Sequence, residues 1–164
     1  MSGTRTRRPA ALLLAVAAAL TTLVAGGAQA GAAPATGGTT TFTLHFPSAG
    51  GASAAATIVC QANTTATIIY GLDDSVYGTG TSKCPVAMTN LVAQTTLYQW
   101  SPDLGRWEPV SYGKYDSGPG EKKESTTGEY LCSAPRTYIA STYHFARLGN
   151  ATATAVTASQ QRVC

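Results

Sequence analysis

Two histidines, His45 and His144, are the only side chains in this 164-residue sequence whose ordinary pKa suits general-base work near neutral pH. Beside a serine and a carboxylate, either could activate a hydroxyl nucleophile, as hydrolases do. No G-x-S-x-G, H-E-x-x-H or phosphate-cradling glycine loop frames them, however. Both lie at alternating positions in strand-like runs, where a histidine is usually a sheet-face residue. A small hydrolase using His45 or His144 is therefore an alternative reading. It requires one histidine in a cleft within hydrogen-bond reach of a hydroxyl and a carboxylate. Asp73-Asp74 could contribute to a calcium site, but no further acid follows at ligand spacing, and a solvated turn is the plainer reading. No metal site and no cofactor are expected.

Aromatic residues offer more. The sequence has two Trp, eight Tyr and three Phe, and several gather between Thr95 and Tyr112. There T-T-L-Y-Q-W and R-W-E-P-V-S-Y flank Ser101-Pro102-Asp103-Leu104-Gly105, a link with the chemistry of a hairpin loop. Strand alternation places Tyr98 and Trp100 on one face of the first arm. On the second it sets Trp107 and Pro109 opposite Glu108, Val110 and Tyr112. Pro109 cannot donate to a ladder, which predicts an edge or a bulge. Indole and phenol rings on an exposed β-face can stack on a sugar ring or anchor a protein, so Tyr98, Trp100, Trp107 and Tyr112 are the candidate ligand-binding residues. The competing reading has Trp107 filling the core and Trp100 closing its margin.

These residues must be positioned by a small scaffold, and the cysteines indicate how. There are four, Cys60, Cys84, Cys132 and Cys164. An even count in an exported chain favours disulfides, and the absence of any C-x-x-C argues against zinc. Three pairings are possible. Cys60–Cys84 and Cys132–Cys164 are preferred, because each joins sequence neighbours and brackets strand-like segments.

Export is read from the N-terminus. Arg5, Arg7 and Arg8 precede an apolar run, Ala10 to Ala25, and Ala28-Gln29-Ala30 is a small-x-small cleavage site. The run is shorter than the roughly 20 residues needed to span a bilayer. Residues 1–30 are expected to be a signal peptide, 31–38 a disordered leader, and 39–164 a single domain. The eleven Lys/Arg include those three arginines, and the remaining eight balance eight Asp/Glu. A neutral mature chain argues against nucleic acid or an anionic membrane as partner, since both need a basic face.

Phe42, Leu44 and Phe46 alternate along Thr39–Phe46. Ala55–Gln61 and Thr64–Tyr70 are β-branched runs, Ser75–Lys83 reads as a polar loop, and Val86–Val92 as a short strand or helical turn. Gly113–Thr127 reads as a long charged loop. Arg136–Leu148 and Thr152–Val163, separated by Gly149-Asn150, read as a hairpin closed by Cys132 and Cys164. With no helical periodicity, the chain should be all-β. A two-sheet, immunoglobulin-like sandwich is expected and a small barrel is the alternative.

The run L-Y-x-W…G-R-W-x-x-V, followed by C-x(3)-R-x-Y and a closing cysteine, resembles small exported proteins of unknown function from high-GC actinobacteria. The resemblance covers roughly the last 70 residues. It implies a disulfide-bonded β-domain and transfers no activity. The functional expectation is a secreted, monomeric, non-catalytic binding or cell-surface module. Its partner would be a cell-wall or environmental polysaccharide or an extracellular protein. A protease inhibitor acting through residues 113–127 is a further alternative. Such an inhibitor needs a rigid reactive loop, yet no cysteine clamps this one.

Overall fold

The computed structural model describes residues 38–46 and 56–164. The expected signal peptide and most of the leader lie outside the described residues. Gly38, assigned above to the leader, is held instead: its N–H donates to the Ala158 carbonyl (3.1 Å) and its carbonyl accepts from Thr64 N–H (2.6 Å).

Among the described residues the chain is all-β. The strands are β1 (Thr39–His45), β2 (Thr57–Ile69), β3 (Ser75–Ser101), β4 (Arg106–Tyr112), β5 (Asp116–Thr126), β6 (Tyr130–Leu131), β7 (Thr137–Leu148), β8 (Ala151–Ala158) and β9 (Arg162–Val163). All pair antiparallel within one connected sheet. The spine is β3, 27 residues long. One of its edges is taken first by β2 and then by β7, the other by β6, β5 and β4. Register against β5 slips between Lys83 and Met88 and again between Met88 and Leu91. Irregularities of this kind bend a strand and increase its twist. The sheet accordingly curls, and side chains of β2 meet those of β8: Thr64 Oγ1 and Thr157 Oγ1 are hydrogen-bonded across the interior.

Three sequence expectations are corrected here. The two runs before Tyr70 form the single strand β2, continuous through Ala62-Asn63. The polar stretch Ser75–Lys83 is the first third of β3, not a loop. Its inward positions are Val76, Gly78, Gly80 and Ser82, all buried, and small side chains there carry almost no hydrophobic signal. Residues 113–127 are mostly β5, an edge strand whose charged side chains leave it without an apolar face. Lys122–Glu124 (3.0 Å) and Lys123–Asp116 (3.5 Å) pair along it, and edge strands commonly carry such charges.

Two apolar clusters fill the inside of the curl. One holds Phe42, Leu44, Met88 and Leu91 with Cys60 and Cys84. The other holds Val76, Leu97 and Tyr138 with Cys132, and Cys164 packs against it. Fully burying a side chain such as Leu44 or Leu91 stabilises the fold by about 2 kcal/mol. Each cluster contains one disulfide. Cys60–Cys84 and Cys132–Cys164 are bonded, with Cα separations of 4.3 and 5.7 Å. The first continues the β2–β3 ladder by one step beyond Gln61–Lys83, so the two cysteines face each other directly. The second ties the last residue beside the start of β7, where Cys164 N–H also donates to Arg136 O (3.1 Å). Gly149, at φ 59°, makes the β7–β8 turn in a conformation that side chains disfavour.

Candidate functional site

Between the two apolar clusters lies a belt of buried hydroxyls around His144. Ser82, Thr95, Thr142 and His144 have no solvent exposure. Ser82 has one proton, and it goes to the Val92 carbonyl (2.7 Å). The 2.8 Å contact between Ser82 Oγ and His144 Nδ1 is then a bond in which the ring N–H donates. Nε2 is left as acceptor and receives the Thr157 hydroxyl (2.7 Å), whose oxygen accepts from Thr64. The chain runs Thr64, Thr157, His144, Ser82, Val92 and links β2, β8, β7 and β3. Burial pushes the His144 pKa down to about 4, so the ring is neutral at pH 7. Among the described residues no buried side-chain polar atom lacks a partner.

This arrangement has a serine–histidine contact without the rest of a nucleophilic site. No carboxylate orients the ring, the serine proton is committed to a carbonyl, and no solvent reaches either group. The cleft that the hydrolase reading requires is not found at His144. His45 is exposed at the end of β1, remote in sequence and register from the belt. Asp74 Oδ1 accepts Gly71 N–H (2.9 Å), a turn-forming contact, and no group of three or more metal-ligating side chains occurs among the described residues.

The outer side of the curl is different. Cross-strand partners share a face, so register assigns the face directly. Trp100 stands opposite Trp107, with ring centroids 5.4 Å apart and planes at 66°. Tyr98 stands opposite Pro109 on β4 and Ile139 on β7. Leu97, the residue before Tyr98, points into the core. Both indoles are half-buried and belong to neither core cluster, so the expectation that Trp107 fills the core is not met.

A bulge changes what else joins this face. Leu97 pairs with Ser111, whereas Tyr98 pairs with Pro109, leaving Val110 as an extra residue. Val110 packs against the inner cluster, and Ser111 Oγ donates to the Gly128 carbonyl (3.0 Å). Tyr112 is thereby moved from the face opposite Trp107, where simple alternation placed it, onto the same face, opposite Thr96. It is 66% exposed.

One row further, Gln94 pairs with Tyr143 of β7, and Tyr143 with Val156 of β8; Tyr143 is 41% and Val156 56% exposed. Tyr143 was missed in the sequence because its strand reads only as half of a disulfide-closed hairpin. The four candidate aromatics thus lie on one face, and Tyr143 extends it. Two open depressions lie elsewhere. One of about 400 Å³ is lined by Thr89, Asn90, Arg147, Gly149 and Asn150, the other of about 230 Å³ by Ala66, Thr67, Ile68, Tyr70 and Arg162. Neither includes a histidine or a tryptophan. No protein-family model, curated protein or solved structure matches this chain.

Proposed function

We propose that this is an exported, non-catalytic binding module whose contact surface is the aromatic outer face of β4, β3, β7 and β8. The observation that carries the reading is the placement of Tyr98, Trp100, Trp107 and Tyr112 on one solvent-facing side, the last of them brought there by the Val110 bulge. Rigid aromatic rings on a strand-built platform contribute contact area at low entropic cost. Export is supported by the signal-like N-terminus and by two disulfides, which persist in oxidising compartments. The two apolar clusters enclosed by the curl suit an immunoglobulin-like, two-layer description and a small barrel equally. The Gly38–Ala158 bond, which ties the strand before β2 to the end of β8, is what favours a small barrel.

The ligand class consistent with such a face is a cell-wall or environmental polysaccharide, with an extracellular protein as the second option. The test is co-sedimentation of the purified secreted protein with a panel of insoluble polysaccharides, in parallel with a Trp107→Ala variant of unchanged circular dichroism. Retention of the native protein alone supports the reading. Absence of retention on every polymer removes the polysaccharide option.

A further inference from the structure

The aromatic face continues beyond the hairpin, and its composition selects among ligands. Register gives four consecutive rows, each with an aromatic side chain: Trp100 with Trp107, then Tyr98, then Tyr112, then Tyr143. Rows on one face are two residues apart, so the track from Trp100 to the Gln94–Tyr143 row is about 20 Å long. That exceeds the reach of a disaccharide. The other residues that register puts in these rows include Gln94, Thr96 and Ser141, which offer hydrogen bonds without charge.

No row contains an acidic or basic residue. Charges lie at the margins of the track: Lys114 is exposed two residues beyond Tyr112, and Glu108, opposite Gln99, falls between the first two rows on the other face of the hairpin. Arg106 and Glu108 are paired with each other at the hairpin tip (3.2 Å), and Arg147 lies past Phe145 at the far end of β7. Within the rows themselves a uronate, phosphate or sulfate would meet no cation; Lys114 stands at their margin. A single marginal lysine is too little for the backbone of a nucleic acid.

We infer that the track is a subsite series for an extended, uncharged polysaccharide, held by stacking of its sugar rings on Trp100, Tyr112 and Tyr143. This rests on the binding-module reading above and narrows it. The apolar C–H faces of neutral sugar rings match the rings of the track, while hydroxyls at their edges match Gln94, Thr96 and Ser141. The uncharged lining of the rows thus commits the face to a neutral polymer.

Isothermal titration of the full secreted protein tests this with cello-, xylo- and manno-oligosaccharides of two and six units, and with polygalacturonate as the anionic probe. In the series that binds, the six-unit ligand should bind about tenfold or more tightly than the two-unit ligand. Tyr143→Ala and Tyr112→Ala should each remove most of that gain. Raising salt should change affinity less than twofold. Equal affinity for both lengths, or full affinity in both tyrosine variants, overturns the extended track while leaving the tryptophan platform standing. Preferential, salt-sensitive binding of polygalacturonate overturns the neutral-ligand assignment. Failure of every oligosaccharide and of the polymer panel overturns the inference and the polysaccharide reading together. Self-association that Tyr143→Ala abolishes identifies the occupant as a second copy and overturns it as well.

Discussion

His144 Nδ1 lies 2.8 Å from Ser82 Oγ, and the serine proton is already given to Val92. The pair thus holds strands together rather than activating a nucleophile. Its consequence is a pH dependence of stability. The ring titrates near its ordinary value in the unfolded chain and at about 4 in the fold, so between those values only the unfolded state binds the proton. The stabilisation is fully present above about pH 6.5 and is lost as pH falls towards 4, at up to about 1.4 kcal/mol per pH unit. Urea titrations at pH 7.5, 5.5 and 4 should show the native protein losing on the order of 3 kcal/mol more than His144→Gln, the variant serving to subtract the carboxylates. Parallel curves would place the ring's titration elsewhere.

The same network predicts the cost of removing its hydroxyl. Ser82→Ala leaves the Val92 carbonyl and the ring N–H facing an alanine. A buried polar group left without a partner costs about 1–3 kcal/mol. Chemical denaturation should register a loss of at least that order, with polymer binding unaffected when measured under folding conditions. A hydrolase reading would instead require Ser82→Ala to abolish a measurable activity.

How the chain packs so tightly at this belt explains what was legible in the sequence. Phe42 and Leu44 announce β1 by alternation, and the Gly149-Asn150 turn with its flanking cysteines announces the last hairpin. By contrast, the first third of β3 faces Thr95, Ala140 and Thr142 so closely that only small residues fit. A Cβ built on Gly78 would lie 2.7 Å from Ala140 Cβ, and one on Gly80 would collide with the Thr142 and Thr95 side chains. Tight packing there erased the hydrophobic pattern by which a strand is recognised. β5 was hidden for the opposite reason, as an edge strand of charged and small residues. Alternation alone paired Tyr98 with Trp100 on one arm and Trp107 with Pro109 on the other; that the two pairs share a face comes from the register of the arms. The placement of Tyr112 was not legible, because it depends on an extra residue, Val110, that no local pattern marks.

Gly80→Ala follows from that geometry. The added methyl has no flexible neighbour to displace, and overpacking a close-fitted interior typically costs about 1–3 kcal/mol, occasionally more. Gly71→Ala, at a position where a Cβ meets nothing within 4 Å, should stay within about 0.5 kcal/mol of the native protein. Thermal melts of the two variants check the contrast. Equal melting temperatures would contradict the close approach of β3 to β7.

The terminal disulfide should act on stability rather than on binding. Cys132 and Cys164 are 32 residues apart, and opening a bridge of that span costs roughly 3 kcal/mol. The Cys132→Ser/Cys164→Ser double variant should therefore unfold at lower denaturant, while the Trp100–Trp107 pair, on the other side of the sheet, keeps its near-ultraviolet dichroism below the transition. Loss of that signal under native conditions would show that the aromatic face depends on the bridge.

The central claim is that the paired indoles form a contact surface. Affinity gel electrophoresis measures it most directly, with the native protein and Trp100→Ala run through gels containing each soluble polysaccharide of the panel. Retardation of the native protein by at least one neutral polymer, lost in a folded Trp100→Ala variant, is the result predicted. Equal mobility of the two proteins in every gel would contradict the claim.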